Sequence, residues 1–278
     1  MGRLDGRVAF VTGAARGQGR SHAVRLAEDG ADIIAVDLCR QVDSVRPFYR
    51  MPTTADLAET ARLVEDLDRR VVARQADVRE YDQLESALGA GLAELGGLDI
   101  VCANAGIFTY GVAWEIDEQT WRDVIDINLT GVWHTVKAAV PPMIQRGRSG
   151  AIVITSSTAG LKGLTNIAHY VASKHAVVGL MRTLANELAP YRIRVNTVHP
   201  TTVDTDMIQN EATYRLFLPD HPDPTREEAA EAFQTTNALP VPWVEPRDIS
   251  NAIAWLVSDE ARYVTGVALP VDAGSTVI

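Results

Sequence analysis

Thr12-Gly-Ala-Ala-Arg-Gly-Gln-Gly19 follows a run that is apolar at nearly every position, Val8-Ala-Phe-Val11, and opens a stretch with helical spacing. Gly13, Gly17 and Gly19 leave room for a tight turn and for an anion to approach the backbone. A helix beginning here presents free N–H groups and the positive end of its dipole to that anion. Three glycines alone are weak evidence, because loops collect glycine. The order strand, glycine loop, helix is what gives this stretch its meaning, and it predicts a pyrophosphate site.

Outward from this loop the same alternation repeats. β-branched runs at 7–13, 32–38, 71–78, 98–105, 151–156, 193–199 and 267–271 predict strands. Several lack polar positions, as strands buried on both faces of a parallel sheet do. Helical patterns lie between them at 17–29, 56–67, 80–95, 117–146, 168–189 and 246–258. The alternation implies βαβ units with right-handed crossovers. The expected α/β fold is a three-layer, doubly wound Rossmann arrangement, with a seven-stranded parallel sheet, helices on both faces and ligands at the carboxyl ends of the strands. Nothing divides residues 1–278 into more than one domain, but two connections break the rhythm. Residues 39–55 form a long link after the second strand, and residues 201–245 a proline-rich one after the sixth. Loops of this length are often lids. Pro141-Pro142 should kink or interrupt the long 117–146 helix.

The net charge of −10 disfavours nucleic-acid or anionic-membrane partners. Two cysteines, Cys39 and Cys102, are too few for a disulfide framework and no metal-ligand spacing is present, so no metal is expected. The first residues lead straight into a strand, and no apolar run reaches the roughly 18 residues of a membrane span. The expectation is a cytoplasmic protein with reduced, packed thiols.

Asp37 ends the second strand, 24 residues after Gly13. A carboxylate there accepts hydrogen bonds from ribose hydroxyls and repels a 2′-phosphate, which favours NAD over NADP; Arg16 and Arg40 nearby argue the other way. Asp77-Val78, ending the third strand, could meet the adenine, although Asp77 also suits a helix N-cap. In Tyr170-Val-Ala-Ser-Lys174 the tyrosine and lysine share one helix face. A free phenol has a pKa of about 10. A nearby ammonium favours the phenolate, making a base usable near neutral pH. Ser157, at the end of the fifth strand, could hydrogen-bond the same substrate oxygen. His169 and His175 flank this segment but point away from the Tyr170 face. His199 and Cys102 read as structural.

Taken together, residues 12–19, Asp77-Val78, Asn104-Ala-Gly106, Asn128, Ser157, the YVASK of 170–174 and Asn196-Thr-Val-His-Pro200 resemble the short-chain dehydrogenase/reductase family over the whole chain. The resemblance implies a catalytic tetrad of Asn128, Ser157, Tyr170 and Lys174. Tyr170 would be the acid/base and Ser157 the substrate anchor. Lys174 would hold the nicotinamide ribose and lower the Tyr170 pKa, and Asn128 would hold a water leading to solvent. It implies NAD contacts from Gly13, Arg16, Gly17, Gln18, Gly19, Asp37, Leu38, Asp77, Val78, Asn104, Ala105, Gly106, Tyr170, Lys174, Pro200, Thr202, Val203 and Thr205. Hydride passes directly between nicotinamide and substrate carbon, without a metal.

The chain departs from the family pattern at Pro200-Thr-Thr-Val-Asp-Thr-Asp-Met207, where Pro-Gly is usual, and at Asp272-Ala-Gly274. These departures, with the 39–55 link, resemble the carveol dehydrogenase-like, mycofactocin-associated subgroup. That likeness implies an insertion, carrying Phe48, Tyr49 and Met51, that folds over NAD and hinders its exchange, with reoxidation by an external redox acceptor. It also implies a substrate lid at 201–245. Phe108, Tyr110, Trp114, Leu161, Leu164, Met207 and Trp243 are candidates for an apolar wall suited to a small cyclic or terpenoid alcohol or its ketone. The family further implies a homotetramer, paired through helices such as 117–146 and 168–189. A carbonyl reductase with the same tetrad, or a dinucleotide-sensing protein without catalysis, are the competing functions.

Overall fold

Seven strands form where the β-branched runs lie: β1 (Val8–Thr12), β2 (Asp32–Asp37), β3 (Val71–Gln75), β4 (Ile100–Ala103), β5 (Gly150–Thr155), β6 (Ile193–Pro200) and β7 (Ala268–Val271). The structure is a computed structural model and describes residues 2–278; Met1 lies outside the described residues. All seven strands are parallel, in the order β3-β2-β1-β4-β5-β6-β7. The order reverses between β1 and β4, and a crevice opens there at the strands' carboxyl ends.

Some strands stop sooner than their composition predicts, because the chain turns over the sheet end. β3 ends at Gln75, with Ala76 N–H still bonded to the Asp37 carbonyl at 2.9 Å. Beyond β4, the N–H groups of Asn104 and Ala105 bond the Thr12 hydroxyl, at 3.1 and 3.2 Å, instead of a neighbouring strand.

Side-chain alternation along the central strands feeds two separate cores. Val8, Phe10, Ile34, Val36, Val101 and Ile152 face α3 (Tyr81–Leu95), α5 (Gly131–Arg146) and α6 (Ala168–Leu188). Ala9, Val11, Ile33, Ala35, Cys102 and Val153 face α1 (Gly17–Glu28), α2 (Thr54–Glu65) and α9 (Pro246–Val257). This is the three-layer arrangement that the double alternation demands.

The 117–146 pattern is not one helix. It is α4 (Glu118–Ile125), a π-helical turn at Asp126–Thr130, and then α5. Pro141 and Pro142 lie inside α5 without ending it. They fall near its C-terminus, and the carbonyl that Pro141 leaves unserved belongs to exposed Lys137. The break comes instead at the π turn. Residues 201–245 hold two short helices that the sequence reading leaves out, α7 (Glu211–Phe217) and α8 (Arg226–Gln234). Asn210 caps the first and a Thr225–Glu228 capping box starts the second.

Candidate active site

The crevice between β1 and β4 is an open cleft of about 1260 Å³, its mouth included. At one end lies the glycine loop. Gly13 has φ +67°, and a Cβ there would sit 2.8 Å from the Ala105 Cα, so only glycine fits between the two strand ends. α1 begins with neither a capping side chain nor an acidic residue in its first turn. The N–H groups of Gly17, Gln18 and Gly19 meet no acceptor among the described residues. Such a helix start is chemically unfinished, and a phosphate group would finish it.

Asp37 closes this end. Its carboxylate accepts from Ala15 N–H at 2.9 Å and Cys39 N–H at 3.1 Å. Burial raises its pKa and these hydrogen bonds partly offset the rise. Asp77 and Val78 line the same end. The Asp77 carboxylate is already engaged, by Arg79 at 2.7 Å and Arg40 at 3.5 Å, and Glu80, not Asp77, is the N-cap residue of α3. Arg40 is thereby drawn toward Asp77.

At the other end Ser157, Tyr170 and Lys174 face the cleft together. β5 delivers Ser157, and His199 pins it. His199 Nδ1 lies 2.7 Å from the Ser157 carbonyl, which can only accept, so this nitrogen carries the proton and Nε2 accepts from the Thr197 hydroxyl at 2.7 Å. α6 delivers Tyr170 and Lys174. Gly160 lets the turn after Ser157 pack on α6: a Cβ there would meet Ser156 Oγ at 2.3 Å and the Lys174 carbonyl at 2.7 Å. The Lys174 ammonium donates to the Thr155 carbonyl at 2.8 Å and lies 5.5 Å from the Tyr170 ring centre.

Burial dominates the titration of both groups. It lowers Lys174 to about 8 and pushes Tyr170 up to about 12, the Ser157 hydroxyl offsetting part of the rise. The expectation that Lys174 brings the phenol down is therefore not met by the protein alone. The ammonium is turned toward Thr155, and the loss of water around the phenolate outweighs its attraction.

Asn128 is fully buried behind this wall. Its Oδ1 accepts from Ile107 N–H at 2.8 Å and its Nδ2 donates to the Ile107 carbonyl at 2.9 Å, a two-point grip made possible by the π turn. It touches the cleft through Ile107 and does not itself line it. Thr202 is also off the lining, whereas Pro200, Thr201, Val203 and Thr205 are on it. Thr201 and Val203 alternate onto the cleft side of an extended segment whose Thr202 carbonyl is bonded to Val244 N–H at 3.0 Å. The remaining expected contacts, Arg16, Leu38, Asn104, Ala105 and Gly106, line the cleft.

The aromatic wall forms only in part. Met207 lines the cleft, and Phe108 packs edge-on against Tyr170 with ring centres 5.1 Å apart. Trp114 is 84% exposed, Leu161 and Leu164 are exposed, and Trp243 packs inside the lid against Phe233. His169 bonds Thr109, and His175 bonds its own helix, away from the Tyr170 face as expected. Sequence reasoning missed Thr155, Ser156, Ile107 and Asp206. The rule that sites gather at strand ends could have found the first two; no local signal marks the others.

The sequence profile described as short chain dehydrogenase matches residues 7–215. A (-)-trans-carveol dehydrogenase of Rhodococcus erythropolis is 56% identical over 277 residues, 99% of each chain. The crystal structure of a carveol dehydrogenase from Mycobacterium avium in complex with NAD has 55% identity and a TM-score of 0.98, with 100% of both chains covered. A short chain dehydrogenase from Mycobacterium paratuberculosis bound to NAD has 46% identity and a TM-score of 0.91 over the same coverage.

Proposed function

The chain belongs to the short-chain dehydrogenase family, and on that premise we propose that it is an NAD-dependent alcohol dehydrogenase interconverting a secondary, carveol-like cyclic alcohol and its ketone. One observation carries the reading. A single cleft joins an uncapped helix N-terminus and a buried carboxylate, Asp37, to a wall bearing Ser157, Tyr170 and Lys174.

NAD⁺ bound there supplies the acceptor for the hydride from the carbinol carbon, and its positively charged ring favours the phenolate. Tyr170 takes the alcohol proton. Ser157 donates to the same oxygen and holds it in line with Tyr170. Lys174, charged below about pH 8, holds the nicotinamide ribose. Asn128 fixes the Ile107 backbone in the cleft wall on which the cofactor would rest. Because the protein alone sets Tyr170 near 12, alcohol oxidation speeds up as pH rises from neutrality, while ketone reduction, which uses the protonated phenol, stays level over the same range.

The 39–55 insertion covers the nucleotide and 201–245 covers the substrate. Arg16 clips the two together: one guanidinium nitrogen lies 2.6 Å from Asp206 of the lid, and the other donates to the Arg50 carbonyl of the insertion. A clip of this kind supports slow nucleotide exchange and reoxidation of NADH in place by a mycofactocin-type carrier. We also assign a homotetramer built on α5 and α6, in the cytoplasm. No helix among the described residues is long and apolar enough to cross a membrane.

The test is to denature freshly purified protein and identify what it releases. About one NAD(H) per chain, together with oxidation of carveol, is the expected result. A chain that neither carries nor uses NAD contradicts the reading.

A further inference from the structure

Tyr49 stands out among the residues that the proposed chemistry leaves unused. It lies in the 39–55 insertion, yet its side chain is in the main core with Val42 and Val45, and the residue is only 8% exposed. Its hydroxyl accepts from Phe108 N–H at 3.0 Å. A phenol both accepts and donates, and the O–H proton of Tyr49 has no acceptor among the described residues. Buried donors are seldom left unpaired. Tyr110, the nearby aromatic of the β4–α4 loop, differs: its hydroxyl is spent on the Ala212 carbonyl at 2.5 Å.

Tyr49 lines the nucleotide cleft, and its hydroxyl sits on the backbone of Phe108, the residue that packs edge-on against Tyr170, with Arg16 also near enough to act on it. We propose that Tyr49 is a cofactor-binding residue, whose hydroxyl donates a hydrogen bond to an oxygen of the ribose–phosphate chain on the nicotinamide side of the dinucleotide. This rests on the cleft being an NAD site. The donor is held in place before any nucleotide arrives. Phe108 N–H fixes the oxygen, and Gln41 grips the backbone that follows the ring, its Nε2 donating to the Tyr49 carbonyl at 3.3 Å and its Oε1 accepting from Met51 N–H at 2.9 Å. Burial holds the phenol far above its ordinary pKa, so the proton stays available at any working pH. The insertion would thus do more than cover the nucleotide: it would complete the polar wall that the glycine loop begins.

The test compares the wild type with Tyr49→Phe, which keeps the ring and removes one oxygen. After removal of bound nucleotide, each is titrated calorimetrically with NADH, reduced nicotinamide mononucleotide and AMP. NADH and the mononucleotide should bind about tenfold more weakly to the variant, with AMP unchanged within about twofold. Unchanged NADH affinity, or an equal loss for AMP, overturns the proposal. A wild type that binds neither NADH nor AMP overturns the NAD reading itself, a different failure from the first. Should the variant not fold, 3-fluorotyrosine at position 49 keeps the hydroxyl. Its fluorine resonance should then move with NADH and not with AMP, and a resonance indifferent to NADH overturns the assignment.

Discussion

Residues 39–55 and 201–245 look alike in the sequence, as long connections after a strand, but they are held by different physics. Before its last two residues, which open α2, the insertion contains no helix or strand, yet it is fastened into the main core by Val42, Val45 and Tyr49. Ser44 ties it to Asp123 of α4 at 2.7 Å. The lid does the reverse. It has two helices and a small cluster of its own, Tyr214, Ala229 and Phe233 with Ile208 and Trp243, separate from both main cores. Its base is closed by the Val203–Val244 bridge. Because burial and not helicity sets the free energy of opening, the segment poor in secondary structure should be the harder of the two to open. One loop is a wall and the other a small body with a cluster of its own.

The comparison presumes that both loops serve one acid–base group, and the largest effect tests that premise. Tyr170→Phe should lower alcohol oxidation by about a thousandfold while NAD stays bound, and it should abolish the rise of rate with pH. Appreciable turnover that still climbs with pH would remove Tyr170 from its role. The next pair of variants sets wall against body. Val45→Ala, at a fully buried site, should cost about 2 kcal/mol and lower the main melting temperature by about 5 °C. Phe233→Ala removes a larger buried side chain but should leave that melting temperature nearly unchanged, while amide exchange quickens across 204–245. Equal melting shifts for the two would show that the lid is no separate unit. The smallest effect belongs to the clip. Asp206 is mostly exposed, and pairs of this kind contribute about 0–1 kcal/mol. Asp206→Asn should therefore speed nucleotide release by no more than about fivefold, with the difference fading in 1 M salt. Release at the wild-type rate in low salt would break the link between lid and insertion.

The sheet was legible because buried parallel strands leave an unmistakable composition, and the glycine loop because backbone approach to a phosphate tolerates few alternatives. Ser157, Tyr170 and Lys174 were legible because they fall among ordered motifs that resemble one family; the spacing of Tyr170 and Lys174 alone occurs in many helices. What could not be read depends on partners remote in the chain. Nothing near Trp243 says that it packs on Phe233 and not on substrate. Nothing near Asp206 marks it as a partner of Arg16, 190 residues away. The pKa of Tyr170 also escaped sequence reasoning. The Lys174 spacing suggests a lowered value, but burial, which spacing does not report, decides the sign.

The π turn at Asp126–Thr130 has a consequence for how this chain can vary. A π turn carries one residue more than the α-helical turn it replaces. Removing any one residue there would let α4 and α5 run on as a single helix, rotating Asn128 by about a quarter-turn away from Ile107. Most side chains in the turn could change without that outcome. The segment is therefore constrained in length more tightly than in composition, and aligned relatives should show substitutions at 126, 129 and 130 before they show a gap.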